Sequence, residues 1–201
     1  MHFEILVEDQ SGNTALDILL PKIIGSSHTY KVYPYKGCGR IPKNLSGKAD
    51  PQKRQLLDRL PKLLRGFART HAQYSPSTLA VVIVVVDLDN RCQKEFLAEL
   101  HQLLSRCLPR PVAHFCLAIE EGEAWLLGDL PAINSAYPNA EEKVLSSYVN
   151  DEICGTWEKL ADAIYPGGSA VLRKANWGDR GRIKSEWAAN ICPHLDIENN
   201  R

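Results

Sequence analysis

Apolar and polar positions along this chain alternate between a period of two and a period near 3.6. From Leu79 the sequence runs Leu-Ala-Val-Val-Ile-Val-Val-Val without a polar break, bounded by Ser/Pro before and by Asp87-Leu88-Asp89-Asn90 after. An unbroken β-branched run predicts a central parallel strand covered on both faces. Upstream, His2 to Val7 predicts a short apolar strand ending in Glu8-Asp9, followed by a polar turn over Gln10 to Asn13. Thr14 to Ile24 then has helical spacing at Ala15, Ile18, Leu19 and Ile23, closed by Gly25. Thr29 to Tyr35 alternates Tyr30 and Val32 with Lys31 and Tyr33, the pattern of a strand near a sheet edge. A basic, glycine-rich loop spans Lys36 to Lys48. Pro51 to Gln73 predicts a long basic helix striped by Leu56, Leu57, Leu60, Leu63, Leu64 and Phe67, with Pro61 as a point of kinking.

Beyond the central strand, Arg91 to Cys107 predicts a helix with Phe96, Leu97, Leu100, Leu103 and Leu104 on one face. Val112 to Ile119 is a fourth strand, closed by Glu120-Glu121-Gly122-Glu123, and Ala124-Trp125-Leu126-Leu127 opens another helix. Strands alternating with helices predict an α/β fold: a mostly parallel four-stranded sheet flanked by crossover helices. After Asp129 the texture changes, because Pro131, Pro138, Pro166 and Gly167-Gly168 leave short helical pieces around Glu141 to Leu145, Thr156 to Tyr165 and Lys184 to Ile191. The expected organisation is an α/β domain over 1–129 with a helical C-terminal extension over 130–201 packed on it.

Charge changes this picture more than composition does. The formal net charge is zero over 201 residues, yet the cations gather between Lys22 and Arg69 and the acids between Asp87 and Glu152. Such segregation suits a protein that holds a polyanion against a metal site, and equally two solvated basic helices. Six cysteines without a Cys-x-x-Cys pair argue against a zinc ribbon or disulfide framework. The first residues read as a strand rather than a signal peptide, and no apolar run approaches the roughly 20 residues of a membrane span. The expectation is a protein of the reducing cytoplasm.

The sharpest chemistry lies at the strand ends. In open α/β sheets ligands bind beyond the carboxyl ends of the strands. There Asp87 and Asp89, at i and i+2, project to the same side if the strand conformation persists. Glu8 follows the first strand, and Glu120 and Glu123 follow the fourth. Any one of these could be a helix cap, but like charges gathered at one edge are costly unless a cation joins them. Oxygen donors point to Mg²⁺ or Mn²⁺, and strand ends without Cys or His argue against zinc. One or two such ions activate water for phosphodiester cleavage. Arg173-Lys174-Ala-Asn-Trp177-Gly-Asp-Arg180-Gly-Arg182-Ile-Lys184 interleaves cations with an aromatic, as a nucleic-acid contact does; a solvated loop with its tryptophan in the core fits equally. Gly37-Cys38-Gly39, between Lys36 and Arg40, is either a phosphate cradle or a plain turn. Cys192-Pro-His194 reads as packing or surface, and Trp125 and Trp187 as core. No P-loop lysine motif and no Gly-x-Ser-x-Gly elbow occurs, which excludes a P-loop ATPase and the usual serine hydrolase.

Ile-Leu-Val-Glu8 on the first strand and Val-Val-Val-Asp87-Leu-Asp89 on the third resemble the Toprim domain, whose signature is a strand-end glutamate followed by a downstream Asp-x-Asp. Ala-Ile-Glu120-Glu-Gly-Glu123-Ala-Trp-Leu-Leu-Gly-Asp129 is similar to a stretch of small bacterial Toprim proteins near the overcoming-lysogenization-defect nucleases, which accompany ATPases in phage-defence operons. The resemblance covers about residues 3 to 129, and its specificity comes from the order of short motifs. It implies a Mg²⁺- or Mn²⁺-dependent nuclease acting in antiviral defence. Glu8 would be a general acid/base or metal ligand, Asp87 and Asp89 metal ligands, and Glu120 and Glu123 ligands of a second metal or the catalytic base. Lys36, Arg40, Lys174, Arg180 and Lys184 would hold DNA or RNA, an ATPase subunit would be the partner, and self-association is compatible with the pattern. Asp9 departs from the small residue usual after the first glutamate, and such proteins are expected to continue beyond Glu198-Asn-Asn-Arg201. Two rivals remain: a non-catalytic or partner-activated Toprim subunit of an ATPase complex, and a metal-dependent phosphatase or phosphotransferase acting on small molecules.

Overall fold

Crossover helices return the chain to the same end of a sheet, so strands alternating with helices pair in parallel. The computed structural model describes residues 1–45, 52–75 and 77–198. Lys48 and Pro51, assigned above to the basic loop and helix, the proline before the central strand, and the terminal Asn-Asn-Arg201 lie outside the described residues. Strands β1 (His2–Val7), β2 (Thr29–Pro34), β3 (Ala80–Asp87) and β4 (Ala113–Ala118) form one parallel sheet in the order β2-β1-β3-β4. Register pairs Val7 with Pro34 on one side and with Val85 on the other. The fold class is therefore the α/β arrangement that the alternation predicts.

The described residues divide into two compact units, one of Met1–Asp9, Ile24–Val86 and Arg91–Leu117, the other of Gln10–Ile23, Asp87–Asn90 and Ala118–Arg201. In the first, β3 is buried along nearly its whole length, as its β-branched composition requires, and β2 is the edge strand, alternately exposed at Thr29 and Lys31. Helices α2 (Leu56–His71) and α3 (Gln93–Arg106) touch each other. Both crossovers that they carry run in the same direction along the sheet, and right-handed connections place two such helices on one face. Leu56, Leu57, Leu60 and Leu64 of α2 are buried at 0–1% exposure, whereas Leu63 and Phe67 on the flank of the stripe are half-buried.

The Gly37-Cys38-Gly39 segment is a turn that closes the start of α2. Carbonyl groups of Gly37 and Cys38 accept from the N–H groups of Leu56 and Leu57 at 3.0 and 2.8 Å, while the Gly37 N–H donates to the Glu8 carbonyl and the Arg40 N–H to Asp58 Oδ1. The turn thus satisfies helix N–H groups that would otherwise lack partners. Gly39 has φ +74°, and a Cβ there would stand 2.7 Å from the Gln55 Cβ.

In the second unit, α1 (Gln10–Ile24) begins four residues before the helix predicted from Thr14. Gln10 to Asn13, expected as a polar turn, is its first turn: Ser11 is buried, Asn13 donates to Asp17 and the Thr14 hydroxyl donates to the Gln10 carbonyl. Polar residues are at home there, because the first helical N–H groups seek partners outside the helix. After β4 come α4 (Ala124–Leu127), α5 (Leu130–Ala136), α6 (Glu142–Leu145), α7 (Thr156–Ile164), α8 (Gly168–Leu172), α9 (Trp177–Ile191) and a 3-10 turn over Cys192–His194. Ala15 and Leu19 of α1 share a core with Leu126, Ile133, Leu145, Leu160, Leu172, Ile183, Trp187 and Ile191. Trp187 is buried, as expected, whereas Trp125 is half-buried; Cys192 is buried, which pushes its thiol up to about 11. Lys22 donates to the carbonyls of Cys192, Pro193 and Leu195, securing the final turn to α1.

Helix α9 starts seven residues before the predicted Lys184. Gly178 and Gly181 dilute its apolar spacing, but the Asn176 carbonyl oxygen of the side chain accepts from the Asp179 N–H and starts the helix there. Similarly, Asp129 accepts from the Ala132 N–H ahead of α5, and its other oxygen accepts from the Asp196 N–H. Among the described residues no helix is long and apolar enough to cross a membrane.

Leu64 is fully buried in α2. Leu64→Ala is expected to cost about 2–5 kcal/mol, read as a lower denaturation midpoint in urea with the slope unchanged.

Candidate functional site

The strand-end acids build a site within the second unit, shaped by backbone pairing that continues past the strands. The Leu88 N–H donates to the Ala118 carbonyl at 2.9 Å and the Asp89 N–H to the Glu120 carbonyl at 2.8 Å. Asp89 and Glu120 both adopt positive φ, +50° and +65°. That region is uncommon outside glycine and costs about 1–3 kcal/mol when adopted under constraint. The reversal at Glu120 decides which of the following acids faces which neighbour.

Glu120 is 5% exposed and its carboxylate is engaged on both oxygens, accepting from the Tyr148 hydroxyl and the Ile153 N–H, each at 2.6 Å. Burial, and then the Glu120 carboxylate, push the Tyr148 phenol far above its ordinary range. The contact ties residues 148–153 to the end of β4. Glu121 Oε2 accepts from the Thr156 hydroxyl at 3.0 Å and the Trp157 N–H at 3.2 Å, a carboxylate set at the N-terminus of α7. Glu123 is 5% exposed and pairs with Lys184 Nζ at 3.0 Å, with both side chains mostly out of water. Asp87 is half-buried, its Oδ1 beside Gly122, while Asp89 is exposed.

Among the described residues, one group of ligand-capable atoms results. A carboxylate oxygen of Asp89, a carboxylate oxygen of Glu121 and Cys154 Sγ lie within 4.8 Å of one another. Burial raises the Cys154 thiol above its usual range, and the carboxylates of Glu121, Asp89, Glu158 and Glu120 raise it further. Four carboxylates acting on one thiol make this a strongly electronegative corner. Such a corner stabilises a cation, and a bound cation would in turn favour the thiolate.

Of the predicted residues, Asp87, Asp89, Glu120 and Glu123 therefore belong to one unit, with Asp89 in the ligand group and Glu120 and Glu123 committed to Tyr148, Ile153 and Lys184. Glu8 belongs to the sheet unit, one position beyond the Val7–Val85 pair of the register, and its carbonyl accepts from the Gly37 N–H. Glu121 and Cys154 were missed by the strand-end reasoning. Glu121 stood in view within the Glu-Glu-Gly-Glu run. Cys154, in an irregular segment before α7, carries no local signal, and it supplies a sulfur that the strand ends lack.

The predicted nucleic-acid contacts are dispersed. Lys36 and Arg40 are exposed on the turn before α2, and Lys174 is exposed after α8. Arg180 is half-buried, with its Nε enclosed and without a hydrogen-bond partner, and Lys184 faces Glu123. Trp177 is 59% exposed at the start of α9, so the core-anchored alternative for this tryptophan does not hold.

The class that fold and site define is an α/β protein with a parallel sheet and an acid-rich corner at the ends of its strands. No protein-family model, no curated protein and no solved structure matches the chain.

Two outcomes test this geometry. Tyr148→Phe leaves the buried Glu120 carboxylate one hydrogen bond short and should cost about 1–3 kcal/mol, measured by chemical denaturation. Because burial and then the neighbouring carboxylates raise the Cys154 thiol, Asp89→Asn should lower its titration and speed alkylation of Cys154 at fixed neutral pH, followed by peptide mass spectrometry; an unchanged rate would remove Asp89 from the thiol's surroundings.

Proposed function

We propose that the chain is a metal-dependent nuclease of Toprim type, hydrolysing phosphodiester bonds in nucleic acid. The observation that supports this most is the gathering of Asp89, Glu121 and Cys154 within 4.8 Å, with Asp87 beside Gly122 in the same unit. The donor chemistry fits a divalent cation. Two carboxylates suit Mg²⁺ or Mn²⁺, and the sulfur of Cys154 also admits a softer ion such as Zn²⁺. When bound, such an ion polarises the scissile phosphate and activates water. Asp89 and Glu121 would hold it, and Asp87 would orient water or a further ligand.

Lys184 neutralises Glu123 and Glu120 fixes the loop that brings up Cys154, so both act by positioning. Lys174 and Arg180 lie on either side of the exposed Trp177 in sequence, a set able to take phosphates and a stacked base. Lys36 and Arg40 are exposed cations of the sheet unit. Within this reading the chain is a cytoplasmic effector of antiviral defence working with an ATPase subunit.

A second reading is favoured by the saturation of Glu120 and the pairing of Glu123 with Lys184. With those acids spent on structure, the chain would be a Toprim subunit active only on its ATPase partner.

Purified protein should cut plasmid DNA, single-stranded DNA or bulk tRNA when given Mn²⁺ or Mg²⁺, with EDTA abolishing the activity. Asp87→Ala and Asp89→Ala should each abolish cutting while binding persists. Cutting that survives both substitutions would overturn the assignment, and cutting that appears only with the ATPase present would select the second reading.

A further inference from the structure

Helix α2 carries an open depression of about 240 Å³ lined by Arg59, Lys62, Leu63, Gly66 and Phe67. These positions follow i, i+3, i+4, i+7, i+8, so they lie on one face of the helix. Gly66 contributes no side chain to this lining. Glycine in a helix interior weakens the helix relative to alanine. Nothing at this position requires it, since Gly66 lacks a positive φ and a Cβ there would meet no atom within 4 Å.

The walls state what fits. Leu63 and Phe67 give the notch an apolar side, and Phe67 is held in place edge-on to Tyr33 at 5.7 Å and beside His71 at 5.9 Å. Arg59 and Lys62 stand one turn toward the helix start, and Lys31 covers the Tyr33 ring at 5.1 Å. The other α2 cation near this level, Arg65, is turned to the carbonyls of Pro61 and Leu45. A flat apolar notch bordered by cations matches a nucleotide, the base against Phe67 and Leu63 and the phosphate on Arg59 and Lys62.

We propose that this face of α2 binds single-stranded nucleic acid by taking one unpaired base into the Gly66 notch. A duplex keeps its bases stacked inside and presents only phosphates, which the cations alone would hold. The choice of nucleic acid among anionic partners rests on the nuclease reading, whereas the binding needs no metal and no acid cluster.

The test is fluorescence anisotropy of full-length protein with labelled oligothymidylate, oligouridylate and a blunt duplex, in EDTA so that no cleavage occurs. Gly66→Leu places a side chain in the notch, its Cβ meeting no atom within 4 Å, and should leave thermal stability equal or higher while weakening single-strand binding on the order of tenfold, about one stacked base. Lys62→Ala should reduce the slope of log affinity against log salt by about 0.7 for a single strand. Native affinity in Gly66→Leu, or equal affinity for duplex and single strand, overturns the proposal. So does an acidic peptide or anionic vesicle whose binding, unlike that of the oligonucleotides, is lost in Gly66→Leu. Loss of cutting in Asp89→Ala with this binding intact bears on the nuclease alone.

Discussion

Glu120 is the residue on which the acid-rich corner depends. Its carbonyl receives the Asp89 N–H, its carboxylate receives Tyr148 and Ile153, and its backbone takes the left-handed conformation that joins these contacts. Three segments distant in sequence are tied through one side chain and one peptide group. A buried carboxylate is tolerable only when hydrogen-bonded, and here two donors at 2.6 Å meet that condition while fixing the segment that leads to Cys154.

Electrostatics then divides the acids by task. Glu123 has a lysine opposite it and is neutralised as a pair. Glu121 faces the Thr156 hydroxyl and the Trp157 N–H, and Glu120 a phenol and an amide. Asp89 lies on the exposed rim of the corner, near a thiol raised by burial and then by these acids. The net effect is a corner whose acids are mostly fixed by neighbours but whose summed field still favours a cation.

How much of this the sequence disclosed follows from what each element depends on. The central strand was legible because burial on both faces requires uninterrupted apolar residues, and the edge strand because exposure of one side requires alternation. The first turn of α1 and the first two turns of α9 were hidden, since they rest on side-chain hydrogen bonds and tolerate Gly178 and Gly181 inside the helix. Asp87 and Asp89 could be read from the end of β3. Their neighbours could not, because the φ of Glu120 rather than a strand's two-residue period sets where Glu121 points. Cys154 arrives from a segment that only tertiary contacts define, through Glu120 and Tyr148.

The division of the chain into two interlaced units bears on the order in which it is made. Every segment of the sheet unit has been synthesised once Leu117 is in place, whereas the second unit takes α1 from near the start and the remainder from beyond Ala118. The apolar face of α1, with Ala15 and Leu19, therefore waits on the ribosome for partners such as Ile133, Leu160 and Ile191. During that interval it is exposed surface available for mispairing. Neither unit is a contiguous stretch, so no single cleavage of the backbone separates them.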